Sequence, residues 1–152
     1  MKATDFFLLD SIGTVHSLSD YLGKWLVIFF YPKDDTPGCT KEACSFRDAH
    51  SELLKKGIAV VGVSKDSIKS HGKFAEKFSL PFPLLSDPTH EMIEAYGAWG
   101  EKKFMGRTFD GILRKTVIIN PEGEVVKRYE EVTPEGHAEE VMGDIEELIS
   151  KS

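Results

Sequence analysis

Two continuous apolar runs stand out in the first half of the chain. Residues 25–31 read WLVIFFY and residues 58–64 read IAVVGVS, and turn residues bound both runs. Runs of this length, rich in aromatic and β-branched residues, are typical of strands that are buried on both faces of a sheet. They predict two central strands of parallel character.

Apolar residues at helical spacing follow each run and return at the end of the chain. The first helix is predicted from 39 to 57, and Asp66 or Ser67 can cap the second. A third is predicted around 91–96, and Thr133 with Pro134 opens a fourth. The residues expected to face inward are Ala43, Phe46, His50 (weakly), Leu53 and Leu54 in the first helix, Ile68, Phe74, Ala75 and Phe78 in the second, and Ala138, Val141, Met142, Ile145, Leu148 and Ile149 in the last.

The other segments predict hairpins and one loop. Residues 6–9 and 15–17 flank a turn, and residues 116–120 and 124–129 flank a Pro-Glu-Gly turn, so each pair predicts a hairpin. Residues 84–85 predict a short strand. Residues 98–112 carry three glycines and charges of both signs, and we interpret them as a long loop.

This order of elements predicts an α/β fold in a single domain that spans residues 1–152. The central sheet should be mixed, because helices cross over between parallel strands while the terminal hairpin is antiparallel. Sheets of this kind place their functional sites at the carboxyl ends of central strands. The turn after residue 31 is such a place.

Composition narrows the class of protein. Lys and Arg total 19 against 25 Asp and Glu, a net charge of −6, which argues against a general binder of nucleic acid or anionic membranes. The longest apolar run is seven residues, too short to span a bilayer. The first ten residues lack the apolar region of a secretory signal. We therefore expect a cytoplasmic protein.

The two cysteines lie close together, in the turn and helix after the first apolar run. Cys39 sits in or just before the first helical turn, where unpaired N–H groups and the helix dipole favour a reactive thiolate. Cys44 lies five residues on. Two cysteines in a reducing compartment are typical of redox chemistry rather than of structural disulfides.

Around these cysteines the sequence YPKDDTPGCTKEACSFRD resembles the peroxiredoxins. Pro32, Thr36 and Cys39 match the active-site pattern of that family, and a second cysteine five residues later is a mark of the peroxiredoxin Q group, also called bacterioferritin comigratory protein. Residues 74–87 and 95–123 are similar as well, so the resemblance covers nearly the whole chain. One departure is Thr4, where relatives commonly carry a proline.

The resemblance implies a thioredoxin-like fold, with a mixed sheet flanked by helices on both faces, and a thiol peroxidase that acts on hydrogen peroxide and organic hydroperoxides. Its catalytic residues would be Cys39, Cys44, Thr36, Arg114 and Pro32. Cys39 would attack the peroxide and then form a disulfide with Cys44, which a thioredoxin-type dithiol would reduce. No cofactor or metal is implied, and we expect a monomer or at most a weak dimer.

Other interpretations of the same residues stay open. A dithiol–disulfide oxidoreductase could share the fold, although its usual spacing is Cys-x-x-Cys. A non-catalytic redox sensor or holdase could use the same disulfide. We interpret Glu42 and Arg47 as charges on the helix surface, with a supporting role beside the active site as the alternative. Trp99, Phe104 and Met105 are expected to pack near the site, with ordinary core packing as the alternative. The five histidines show no ligand spacing and are interpreted as solvated or locally bonded.

Helix geometry adds one expectation. Five positions along a helix advance about 7.5 Å, which separates the Cα atoms of Cys39 and Cys44 by about 8 to 9 Å. A disulfide needs about 4.4 to 6.8 Å between Cα atoms. The disulfide therefore requires the helix to unwind between the two cysteines.

Overall fold

A seven-stranded mixed sheet forms the centre of the computed structural model, which describes residues 2–151. Its strands lie in the order β2-β1-β5-β4-β3-β8-β9. The bounds are β1 Phe7–Leu9, β2 Val15–Ser17, β3 Trp25–Phe30, β4 Ile58–Ser64, β5 Leu84–Ser86, β8 Lys115–Ile119 and β9 Val125–Tyr129, while β6 Trp99–Phe104 and β7 Arg107–Ile112 form a separate hairpin.

The helices are α1 Pro37–Lys55, α2 Ile68–Phe78, α3 Glu91–Ala95 and α4 His137–Lys151, with a 3-10 turn at Leu18–Tyr21. In the part of the chain described, none of the helices combines the length and the hydropathy needed to cross a membrane.

Strand β3 pairs in parallel with β4 and antiparallel with β8. The predicted mixed sheet is therefore confirmed.

Strand β3 is buried on both faces, which explains its unbroken apolar sequence. Val27 and Phe29 point into one core, which α1, α2 and α4 cover, whereas Ile28 and Phe30 point into a second core, which α3 covers. Helices thus lie on both faces of the sheet, as expected for a thioredoxin-like fold. Within the first helix Ala49 is buried, whereas Leu54, predicted to face inward, is 57% exposed.

The prediction of a long loop over 98–112 is wrong. Strands β6 and β7 form an antiparallel hairpin there, and Gly100 lies opposite Gly111. Met105 and Gly106 form its turn with φ of 51° and 77°, a conformation that suits a two-residue hairpin connection. Of the three glycines that suggested a loop, Gly106 lies in the turn, and Gly100 and Gly111 form a cross-strand pair.

The last helix begins later than predicted. Gly136 has φ of 77°, which lies outside the helical region, so the helix begins at His137 rather than near Thr133. The amide of Ala138 donates to the hydroxyl of Ser45 in α1 at 3.0 Å. This bond supplies a side-chain acceptor for an N–H group of the first turn and ties α4 to α1.

Candidate active site

Cys39 lies at the start of α1, directly after the loop that leaves the carboxyl end of β3. Pro37 is the first residue of the helix and Thr36 is its N-cap, so Cys39 is the third helical residue. Proline suits the first position because its fixed φ matches the helix and its missing N–H would have no helical partner. Cys39 is 1% exposed. The helix end presents partial positive charge to this buried sulfur.

Arg114 lies beside Cys39 because of the register between β8 and β3. Lys115, the first residue of β8, pairs with Phe30 at the carboxyl end of β3. Nη2 of Arg114 donates to Sγ of Cys39 at 3.3 Å. Burial opposes the guanidinium charge, but the charges of Cys39 and Glu42 outweigh this effect and raise the pKa of Arg114. The structure thus brings together two of the five residues that the sequence resemblance singled out.

Glu42 is not a surface charge, so that prediction is wrong. It is 0% exposed, and its Oε1 accepts a hydrogen bond from Arg114 Nη1 at 2.7 Å. Its Oε2 is buried and lacks a hydrogen-bond partner among the described residues. Burial raises the pKa of Glu42 to about 7, although Arg114 acts in the opposite direction. Glu42 and Cys39 share one face of α1 because they are three positions apart. This spacing could have suggested that Glu42 lies near the active-site thiol.

Thr36 and Pro32 flank the loop before the helix, and both are half-buried. The Thr36 hydroxyl donates to the carbonyl of Lys33 at 2.8 Å. Its hydrogen is therefore used inside the loop, and its lone pairs remain as acceptors. Pro37 is exposed and does not cover the sulfur. It shapes the start of α1 instead.

Cys44 is half-exposed, and both cysteines are free thiols. It lies in the second turn of the intact α1 helix and lines a shallow surface groove together with Lys41, Asp48, Glu135 and Glu139. Cys39, by contrast, is buried. The two thiols therefore lie in different environments although both belong to one helix.

The β6–β7 hairpin contributes a residue that the sequence did not suggest. The pKa of Lys102 is lowered, because burial and the charge of Arg114 outweigh the opposite effect of Cys39. The ammonium group of Lys102 therefore lies within electrostatic range of Arg114 and Cys39. Its Nζ donates to the carbonyl of Ile112 at 2.9 Å. Phe104 and Met105 are 67% and 86% exposed, so the expectation that they pack near the site is wrong.

Two histidines that we interpreted as solvated or locally bonded are buried in the core. His71 is 0% exposed and bonds across the fold to Asp34 and to the carbonyl of Leu85. His137 is 1% exposed and contacts the Thr116 hydroxyl through Nε2 at 2.9 Å. Its Nδ1 contacts Glu140, three residues on, at 3.0 Å, so the expected local bond is present although the ring is buried. Burial lowers the pKa of His137. Single histidines carry no periodic signal, so the sequence could not place them.

The fold is thioredoxin-like, and its buried cysteine lies at a helix N-terminus and accepts a hydrogen bond from an arginine. This combination defines a thiol peroxidase. The chain matches the sequence profile of the AhpC/TSA family over residues 1–128. It is 43% identical over 150 residues to peroxiredoxin Bcp of Bacillus subtilis, covering 99% of this chain and 96% of the relative. It is 41% identical over 145 residues to peroxiredoxin Bcp of Escherichia coli K12, with coverage of 95% and 93%.

Solved structures agree with this assignment. Bacterioferritin comigratory protein of Xanthomonas campestris superposes with a TM-score of 0.88 at 39% identity, over 94% of this chain and 91% of that chain. A cysteine mutant of PrxQ from Xylella fastidiosa superposes with a TM-score of 0.90 at 37% identity, over 95% and 89%. The chain belongs to the AhpC/TSA family and, within it, to the peroxiredoxins of the Bcp or Q group.

Proposed function

We propose that the chain reduces hydrogen peroxide and organic hydroperoxides through Cys39, and that Cys44 resolves the oxidised sulfur. The observation that carries this proposal is the Cys39 thiol, buried at a helix N-terminus and bonded to Arg114 at 3.3 Å. The helix N-terminus and the guanidinium both present positive charge to the sulfur, which is the nucleophile of the reaction. The similar protein of Xanthomonas campestris has alkyl peroxide reduction activity, which supports an organic hydroperoxide as substrate.

In the first step the Cys39 thiolate attacks one oxygen of the hydroperoxide. An S–O bond forms, the O–O bond breaks, and the leaving oxygen takes both electrons of that bond. Cys39 becomes a sulfenic acid, and the leaving oxygen gains a proton to give water or an alcohol. Arg114 and the free N–H groups at the start of α1 would stabilise the charge that develops on that oxygen.

Thr36 and Pro32 would shape the place where the peroxide binds. Because the Thr36 hydroxyl donates to the Lys33 carbonyl, its oxygen would accept the O–H of a bound hydroperoxide. Thr36 would therefore act as an acceptor from the substrate and not as a donor to it. Pro32, half-buried between β3 and this loop, would exclude water from the sulfur and stiffen the loop.

In the second step the Cys44 thiol condenses with the sulfenic acid and releases water, which leaves a disulfide. Both cysteines lie inside α1, so their Cα atoms are about 8 to 9 Å apart while the helix is regular. The bond needs about 4.4 to 6.8 Å. The first turns of α1 must therefore unwind in each catalytic cycle.

A thioredoxin-type dithiol would reduce the disulfide and be oxidised in turn. We place the protein in the cytoplasm as one domain, since two reactive thiols suit a reducing compartment. We propose a monomer because Cys39, Glu42, Arg114 and Thr36 all come from one chain. The net charge of −6 argues against nucleic-acid or membrane partners.

Thioredoxin-coupled peroxide consumption tests the function. We expect steady turnover by the wild-type protein and none by Cys39→Ser. Cys44→Ser should react once per peroxide, and mass spectrometry should find the added oxygen on Cys39. Oxygen on Cys44 would reverse the two roles. Oxidation without turnover in excess reductant would indicate a sensor, and reduction of a test protein disulfide would indicate an oxidoreductase.

A further inference from the structure

A cluster of polar side chains lies beneath the loop that joins β3 to α1. It consists of Tyr31, Asp34, Asp66, Ser70 and His71, and we call it the loop anchor. The Asp34 carboxylate accepts hydrogen bonds from the Tyr31 hydroxyl at 2.6 Å and the Ser70 hydroxyl at 2.8 Å, and it contacts His71 Nδ1 at 2.7 Å. The Asp34 backbone N–H donates to Asp66 at 2.7 Å. Asp34 is therefore held by its side chain and its backbone together.

The centre of the loop anchor is a buried pair whose hydrogen bonds are complete. The side chains of His71 and Asp34 are 0% and 4% exposed. His71 Nε2 donates to the carbonyl of Leu85 at 3.0 Å, because a carbonyl can only accept, and Nδ1 contacts the Asp34 carboxylate at 2.7 Å. Burial and the charge of Asp34 raise the pKa of Tyr31 well above its usual range, which keeps its hydroxyl a donor.

The loop anchor has the spacing of a metal site, but its atoms already have partners. One ligand-type atom each of Asp34, Asp66 and His71 lies within 4.8 Å of the others. Asp66 Oδ2 accepts from the Asp34 N–H and from the Ser64 hydroxyl. A cation would have to displace these donors. The arrangement fits a network that fixes the loop, since a buried network of this kind is rigid when every member is satisfied.

The loop anchor is connected to the candidate active site through a short stretch of backbone. Asp34 lies two residues before Thr36, the N-cap of α1. Between them Asp35 has φ of 57°, a left-handed conformation that persists only where the surroundings enforce it. On the other side, the carbonyl of Lys33 accepts the Thr36 hydroxyl. Fixing Asp34 therefore fixes both the carbonyl that orients Thr36 and the approach to the helix.

We propose that Asp34 and His71 are positioning residues of the peroxidase reaction. They hold the Lys33–Thr36 segment so that the Thr36 hydroxyl and the first N–H groups of α1 meet the bound peroxide. They also keep this segment in place while α1 unwinds to form the disulfide. This inference rests on the proposed function, since it assigns Asp34 and His71 to the same site.

Two rates separate positioning from a purely structural role. The first is the second-order rate constant of Cys39 with hydrogen peroxide, measured by stopped-flow tryptophan fluorescence. The second is the rate of Cys39 alkylation by iodoacetamide in a Cys44→Ser background, which needs the thiolate but not Thr36. We expect Asp34→Asn and His71→Gln to slow the peroxide reaction by about tenfold or more, because small misplacements are costly. Alkylation should change by less than about threefold, because the thiolate still faces Arg114 and the helix end.

Matched variants keep the test decisive. Glu76→Gln removes an exposed carboxylate from α2, the helix that carries His71, and should leave both rates unchanged. Tyr31→Phe removes one bond to Asp34 and keeps the ring in place, so it should slow the peroxide reaction in a protein that folds. Unchanged peroxide rates in folded Asp34→Asn and Tyr31→Phe, or equal losses in both rates, would overturn the inference. If Cys39→Ser still turned over peroxide, the proposed function itself would fail.

Discussion

The guanidinium of Arg114 donates hydrogen bonds to both Cys39 and Glu42. Nη2 donates to the sulfur at 3.3 Å while Nη1 donates to Glu42 at 2.7 Å. One cation thus faces two groups that can each carry a negative charge. We therefore expect a change to Arg114 to affect both the reactivity of the thiol and the stability of a buried carboxylate.

Replacing Arg114 should separate these two effects. We expect Arg114→Ala to slow the reaction of Cys39 with peroxide by about 100-fold, the usual effect of losing one preorganised donor. Arg114→Lys should restore part of the rate, because it keeps the charge but lacks the planar fork. Stopped-flow fluorescence measures the rate, and Arg107→Ala, which removes an exposed arginine of β7, is the control.

A double variant tests the structural half of this relationship. Arg114→Ala leaves Glu42 buried without its cation, so the free energy of unfolding should fall by about 3 kcal/mol at pH 8. Adding Glu42→Gln should recover most of that loss without recovering the peroxide rate. Chemical denaturation measures the stability. If the double variant regained the rate, Arg114 would act only by holding Glu42.

The stability of the protein should depend on pH through Glu42. Its pKa in the folded protein is about 7, above the ordinary value of 4.5, because it is buried. Protonated Glu42 therefore contributes stability that is complete below about pH 4.5 and is lost as the pH rises through about 7, to a total of about 3 kcal/mol. Glu42→Gln should remove this decline between pH 5 and 8, whereas Glu52→Gln, on the exposed side of α1, should not. Parallel pH profiles for wild type and Glu42→Gln would contradict the prediction.

Oxidation should unwind only the beginning of α1. The first helical amide, Thr40 N–H, donates to Thr36 at 2.8 Å in the reduced protein, and we expect the amides of residues 40–44 to lose protection when the disulfide forms. The bond from Ala138 to Ser45 should hold the helix from that residue onward. Hydrogen exchange on both redox forms measures this. Equal protection of residues 40–44 in both forms would refute it, and Ser45→Ala should let the unwinding extend further.

Gly62 should be essential for packing in the centre of the sheet. A Cβ atom there would lie 2.7 Å from the Phe29 ring and 2.9 Å from a Leu84 methyl group. Both neighbours are fully buried, so we expect Gly62→Ala to reduce stability by about 1 to 3 kcal/mol. Gly143→Ala, in α4 with open space around it, should instead raise stability by about 0.5 to 1 kcal/mol. Thermal unfolding of both variants checks the contrast.

The parts of the fold that the sequence predicted well are those with a local signal. The runs at β3 and β4 are long and wholly apolar, and the position of Cys39 follows from Pro37 and the turn before it. The arginine was found through the resemblance alone, because an isolated arginine before a strand has no pattern of its own.

The failed predictions concern residues whose environment is set by distant parts of the chain. Glu42 looks like any charged helix residue until Arg114, which is 72 residues away, covers it. His71 is buried by contacts with residues 34 and 85, which no spacing reveals. The β6–β7 hairpin was missed because Gly100 and Gly111 face each other across the strands, a pairing that appears only once the chain folds back.

The contact between Arg114 and Cys39 also has a consequence for protein synthesis. The two residues are 75 positions apart in the chain, so a ribosome exposes the thiol well before it makes the arginine. Until the C-terminal strands join the sheet, Cys39 lacks the guanidinium that faces it in the folded protein. We therefore expect the Cys39 thiol of a nascent chain to react with peroxide more slowly than that of the folded protein.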